Sequence, residues 1–76
     1  MANTKPIVYT LADVRALLDT LAERGLTSHD IAAQLELHQV RANARSVRHW
    51  YSGKTNVRNV EFRALRDLLN EVKNNG

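Results

Sequence analysis

The residues with the clearest chemical potential are the basic side chains in the middle of this 76-residue chain. Between Leu37 and Val60 there are five basic residues and no Asp or Glu, whereas the rest of the chain has six basic and eight acidic residues. An ordinary solvated helix face mixes acids with bases, because opposite charges four residues apart stabilise a helix. A segregated basic segment instead predicts contact with a polyanion such as a nucleic acid. The five residues are Arg41, Arg45, Arg48, Lys54 and Arg58.

A helix over residues 39–51 is predicted to present these charges. Apolar residues recur there at helical spacing, as Val40, Ala44, Val47 and Tyr51. At about 100° per residue, a polar face lies opposite this stripe, and Gly53 marks the end of the helix. The residues expected to point outward are Ala42, Arg45, Ser46 and His49, with Arg41 and Arg48 on one flank and Gln39 and Asn43 on the other.

Three further helices are predicted around this one. Residues 11–24 follow a Thr10–Asp13 capping pattern and stop at Gly25, and the same pattern recurs at Thr27 and Asp30. Residues 60–73 form the last helix, with Asn59 as its N-cap and Glu61 near its positive end. The expected fold is an all-α compact bundle of four to five helices. Residues 1–9 form an N-terminal arm, residues 10–73 the domain and residues 74–76 a frayed tail.

Residues 26–69 resemble the helix-turn-helix of phage repressors and Cro-like proteins. The similarity lies in the order and type of the residues Gly25-Leu26-Thr27-Ser28, Ile31-Ala32, Leu35, Leu37 and Val47…Trp50…Gly53, followed by a basic loop and a leucine-rich helix. The resemblance implies a helix-turn-helix fold that binds double-stranded DNA. This chain has about five extra residues between Leu35 and Val47. Either the turn is enlarged and the helix begins near Asn43, or the helix is elongated and begins near Gln39. The unbroken apolar stripe favours the elongated helix.

A helix in the major groove can read base edges, and this assigns roles to the candidate residues. Arg45 is the first candidate for a bidentate contact with guanine, and Asn43 or Gln39 could pair with adenine. Ala42, Ser46 and His49 complete the base-reading set. The phosphate-binding candidates are Thr27, Ser28 and His29 at a helix start, Arg41 and Arg48 on the flank, and Lys54, Thr55 and Arg58 in the loop.

Other chemistry finds little support in the sequence. Trp50 and Tyr51 are expected in the core rather than stacked on bases. His29, His38 and His49 have no two members on one helical turn and the chain has no cysteine, so no zinc site is expected. No nucleophile–base pair or phosphate-cradling glycine loop is present, and no catalytic role, cofactor or small-molecule ligand is expected.

The expected function is a homodimeric, sequence-specific transcriptional regulator of the repressor kind. The dimer contact could come from Ile7-Val8-Tyr9 or from the exposed edge of the last helix. No apolar run approaches the ~20 residues that cross a bilayer, and a cytoplasmic, nucleoid-associated location is expected, without membrane contact. Two alternatives use the same fold: a protein-interaction module of the antitoxin or inhibitor type, and an architectural or recombination-directionality factor that bends DNA.

Overall fold

Four helices make up the computed structural model, which describes residues 7–75. They are α1 (Leu11–Glu23), α2 (Ser28–Leu37), α3 (Ala44–Ser52) and α4 (Asn59–Asn75). The all-α prediction is confirmed, and the described residues contain no strand. The predicted arm lies outside the described residues over residues 1–6, and Gly76 of the predicted tail does so too. The last helix extends two residues beyond its predicted end at Lys73, to Asn75.

The starts of α1 and α2 have the predicted caps. The Thr10 hydroxyl accepts from the Asp13 amide (3.3 Å), and the Asp13 carboxylate accepts from the Thr10 amide (2.9 Å). Thr27 and Asp30 repeat this exchange at 3.1 and 2.9 Å. Both pairs satisfy amides that the first turn of a helix leaves free. Hydrogen bonding from the Thr27 amide also lowers the pKa of Asp30, which keeps this carboxylate ionised.

A left-handed residue ends α1, as predicted. Gly25 has a φ of 92°, its amide donates to the Ala22 carbonyl (2.9 Å), and the Leu26 amide donates to the Leu21 carbonyl (3.1 Å). These two bonds form the closing motif that glycine favours, because a residue without a Cβ adopts positive φ at little cost.

The same motif ends α2, but a glutamine occupies the left-handed position. Gln39 has a φ of 64°, its amide donates to the Glu36 carbonyl (2.9 Å), and the Val40 amide donates to the Leu35 carbonyl (2.9 Å). The prediction of an elongated helix starting near Gln39 is therefore wrong, because the positive φ of Gln39 is incompatible with an α-helix. The alternative start near Asn43 is confirmed: α3 begins at Ala44, and residues 38–43 join it to α2.

Gln39→Gly should stabilise the protein, because glycine removes the cost of placing a Cβ in the left-handed region. The greater entropy of glycine in the unfolded chain offsets part of this gain, so the expected net increase in the free energy of unfolding is about 0.5–1 kcal/mol. Urea unfolding followed by circular dichroism measures the change. Gln39→Ala is the matched control, since it removes the same side chain but keeps the Cβ, and it should gain nothing. A less stable Gln39→Gly variant would show that the turn has another conformation.

The start of α4 differs from its prediction. Asn59 is the first residue of the helix rather than its cap, and its side chain instead binds both backbone groups of Ile7. The Glu61 carboxylate takes over the capping role by accepting from the Arg58 amide at 2.7 Å. A long-range contact therefore decides what Asn59 does, and no local pattern in the sequence reports it.

The core lies where the four helices meet. Its largest fully buried side chains are Leu21, Leu35, Leu65 and Leu68, contributed by α1, α2 and α4. The principal helix pairs are α1 with α4 and α3, and α2 with α3 and α4. Leu11 has the helical spacing of the buried Val14 and Leu18, yet it is 41% exposed at the first turn of α1. No helix within residues 7–75 has both the length and the apolar character needed to span a bilayer.

Candidate nucleic-acid interface

One face of α3 anchors the helix to the rest of the protein. Ala44, Val47 and Trp50 are buried, and Val40 adds a further buried side chain from the preceding turn. The helix is bounded by local chemistry at both ends. The Asn43 side chain accepts from the Ser46 amide at 2.8 Å, and Gly53 ends the helix with a φ of 82°. The predicted end at Gly53 is confirmed.

Tyr51 is not part of the core, contrary to prediction, because it is 42% exposed. It lies instead against the solvent-facing side of α1. The Arg15 Nε donates to the Tyr51 carbonyl oxygen at 2.7 Å, and the Arg15 guanidinium carbon lies 5.6 Å from the centre of the Tyr51 ring. The neighbouring Asp19 carboxylate, as a hydrogen-bond acceptor, raises the pKa of the Tyr51 phenol. Arg15 and Asp19, one helical turn apart, thus hold the last turn of α3 from outside the core.

Arg15→Ala should loosen the end of α3 without unfolding the protein. It removes one hydrogen bond to an otherwise free terminal carbonyl, so the expected loss of unfolding free energy is about 0.5–1 kcal/mol. Amide hydrogen exchange should accelerate in the last turn of α3 more than in α4. Arg66→Ala, which removes an exposed arginine from α4, is the control. Equal acceleration in both helices would contradict a role for Arg15 in holding α3.

The face of α3 opposite the core is polar and contains the best-placed candidates, with Arg45 and Ser52 exposed and His49 half-buried. Arg45, His49 and Ser52 follow one another at spacings of four and three residues, so they form one row opposite the buried face. Arg48 flanks this row, as predicted, and is exposed. Ser52 was missed by the sequence analysis, although its spacing from His49 could have identified it.

Three predicted base-reading residues precede the helix rather than lie on it. Gln39 and Ala42 belong to the turn between α2 and α3, and Asn43 is the N-cap. The Asn43 side-chain oxygen also accepts from the Ser46 hydroxyl at 3.1 Å. A two-point contact with adenine needs that oxygen as well as the amide nitrogen, so capping competes with base reading at Asn43. Ser46 is half-buried on the side of the row.

Three predicted phosphate-binding residues line one groove. Thr27 and Ser28, at the start of α2, face the same depression of about 390 Å³ as Arg48 of α3. The groove also contains Asp19 and Tyr51 from the cluster described above. His29, which follows in the first turn of α2, is exposed. A helix start and an arginine at one depression can serve an anionic group together.

The loop after α3 returns to the end of the helix. The amides of Lys54 and Thr55 both donate to the His49 carbonyl, at 3.0 and 3.5 Å, which places these two exposed residues at one end of the polar row. Arg58 lies further along the loop and, within residues 7–75, is the only one of the five basic residues that forms an ion pair. Its guanidinium bonds the buried Glu61 carboxylate at 3.1 Å, so its charge is already balanced.

The arginines nearest the row carry unbalanced charge. Arg41, Arg45 and Arg48 are exposed, and within residues 7–75 none of them forms an ion pair. Two acidic residues line depressions with these arginines without pairing with them: Asp19 shares a groove with Arg48, and Glu36 lines a second depression with Arg41 and Asn43. His38 lies away from this surface, where it pairs with Glu71 of α4 at 3.1 Å. The outer side of α3 is therefore a positively charged surface with hydrogen-bonding groups along its centre.

Comparison with known proteins gives no relative for this chain: no family model, no curated protein and no solved structure matches it.

Proposed function

We propose that this protein binds double-stranded DNA through the exposed face of α3 and acts as a sequence-specific transcriptional regulator. One observation carries the proposal. A short helix buries Ala44, Val47 and Trp50 on one face, while its outer face and flank present arginines that pair with no acidic residue within residues 7–75. A single α-helix fits the major groove of B-form DNA, where base edges offer distinct donor and acceptor patterns.

In this proposal, α2 and α3 work as a helix-turn-helix pair with an enlarged turn. The start of α2 supports it, since Thr27 and Ser28 share a groove with Arg48 and can hold one backbone phosphate there. Lys54 and Thr55, at the C-terminal end of the row, are proposed to hold a second phosphate. Phosphate contacts on the flank and at this end would fix the register of α3 in the groove, so that the outward-facing residues of the row can meet the bases.

The residues proposed to read bases are Arg45 and His49. The Arg45 guanidinium fork matches the two acceptors on the major-groove edge of guanine. His49, four residues later, lies on the same side of the helix and can donate to a neighbouring base or phosphate. Arg41, in the turn before the helix, is proposed to contact the backbone. Arg58 is proposed to contribute less to DNA binding, because Glu61 already balances its charge.

A titration of labelled duplex DNA against salt tests this function. If Arg41, Arg48 and Lys54 each neutralise one phosphate, the slope of log K against log salt concentration should be about −2.7. Arg48→Ala should reduce the magnitude of that slope by about 0.9, whereas Arg66→Ala on α4 should leave it unchanged. Fluorescence anisotropy measures both quantities.

Two outcomes of the same experiment would support other functions. Absence of binding to any duplex at low salt would overturn the proposal and favour the protein-interaction module. Binding that is salt-dependent but indifferent to DNA sequence, with bending of the duplex, would favour an architectural factor.

A further inference from the structure

Ile7 and Tyr9, just before α1, are fixed to the body of the protein by three contacts. Both backbone groups of Ile7 bond the side chain of Asn59. The Tyr9 ring stacks on Phe62 with centroids 4.1 Å apart and planes within 2°, and the Tyr9 hydroxyl donates to the Val57 carbonyl. These residues are therefore held in one conformation against the start of α4.

Val8, between these anchors, faces away from the protein. It is 94% exposed, whereas Ile7 and Tyr9 pack against the core. This alternation is that of an extended chain, in which the backbone groups of successive residues also point to opposite sides. Since the amide and carbonyl of Ile7 point toward Asn59, those of Val8 point outward. Within the described part of the chain, neither group of Val8 has a hydrogen-bond partner.

We propose that a second copy of this chain docks here, with the two Val8 residues paired antiparallel across a two-fold axis. In such a pair, the Val8 amide of each copy donates to the Val8 carbonyl of the other copy. Both backbone groups of both residues then have a hydrogen-bond partner. The two valine side chains then lie on the same face and cover each other. This dimer goes beyond the proposed function, because it needs no DNA.

Charge and neighbouring surface favour a second copy as the occupant. Residues 7–12 contain no charged side chain, so two copies meet there without repulsion. Exposed strand edges of monomeric proteins commonly carry a charge that prevents such pairing, and Val8 has none. Val60, which follows Asn59 at the start of α4, is a second exposed apolar residue, at 54%. The Thr10 amide bonds Asp13 and ends the pairing, so the contact is short and the dimer should be reversible.

Sedimentation equilibrium of the full chain over a concentration series tests this dimer. The wild-type mass should rise from that of the monomer toward twice that value. Val8→Lys places like charges beside each other across the axis, and its mass should stay that of the monomer. Leu37→Lys makes the same change at another exposed apolar residue, 76% exposed at the end of α2, and should associate like the wild type. Because Val8 is almost fully exposed, its substitution leaves the core untouched.

Three results would overturn the dimer: a wild type that stays monomeric, a Val8→Lys variant that still associates, or a Val60→Lys variant that dissociates when Val8→Lys does not. The last result would place the contact on α4. Exchange of the Val8 amide with deuterium should slow as the wild-type concentration rises, and an unchanged rate would also contradict the pairing. Salt-dependent DNA binding by monomeric Val8→Lys would leave the proposed function standing, so the two proposals can fail separately.

Discussion

Trp50→Ala is expected to lower the free energy of unfolding by about 3–5 kcal/mol. Trp50 is only 3% exposed and is the largest of the side chains that attach α3 to the core. Its removal leaves a cavity that the short helix cannot fill. Small domains have total stabilities of about 5–15 kcal/mol, so this single substitution should remove a large share of the free energy of unfolding.

Urea unfolding followed by far-ultraviolet circular dichroism measures this loss. Tyr51→Ala is the matched control, because it removes the neighbouring aromatic residue from the solvent-exposed side of the same helix, and its effect should be much smaller. Similar losses for the two variants would contradict the orientation of α3. DNA binding should disappear with the fold in Trp50→Ala, so this variant says nothing about base contacts.

Arg45→Ala should leave the fold intact and lower DNA affinity by about 1–3 kcal/mol, or about 5- to 150-fold. The arginine is exposed and without an ion pair among the described residues, so its loss removes a DNA contact and little else. Selection of bound sequences from a random duplex pool should yield a guanine for the wild type and a relaxed preference at that one base pair for the variant. The preference should persist in Arg66→Ala, which removes an exposed arginine from α4.

Arg45→Lys separates charge from shape at the same position. A lysine keeps the positive charge but lacks the planar fork that matches guanine. The salt dependence of binding should therefore remain near that of the wild type, while the guanine preference weakens. A variant that keeps the full preference would show that Arg45 contacts phosphate rather than a base.

Local chemistry made most of the helix boundaries predictable. Thr10 and Thr27 each have an aspartate three residues later, and the glycines at 25 and 53 supply positive φ, so these boundaries depend on neighbours in sequence. The start of α3 was missed because the position of Val40 fits both a longer helix and a turn before a shorter helix. Val40 has the helical spacing of Val47 and Trp50, yet it lies in the turn that follows the left-handed Gln39, and its side chain reaches the core from there. Asn43, a favourable N-cap three residues before Ser46, was the available signal for the later start.

The candidate site was predictable in its charge and less so in its geometry. The absence of acids around Arg45 and Arg48 is a property of the sequence, and both residues are exposed as expected. The positions of Tyr51 and Asn59 depend on contacts with residues distant in the sequence. Arg15 on α1 lies over the Tyr51 ring, and the backbone of Ile7 bonds the Asn59 side chain. The pairing of Arg58 with Glu61 could have been predicted from the sequence, since the two residues are three positions apart at a helix start.

The proposed function requires α3 to be the element that meets DNA. The most direct measurement is the change in backbone amide chemical shifts of ¹⁵N-labelled protein when a selected duplex is added. The largest changes should fall on Arg45, Arg48, His49 and Ser52, with a smaller set at Ser28 on the start of α2. Ala33, Gln34 and Val72, which line a depression between α2 and α4, should change little. Changes concentrated in that depression, with α3 unaffected, would contradict the account.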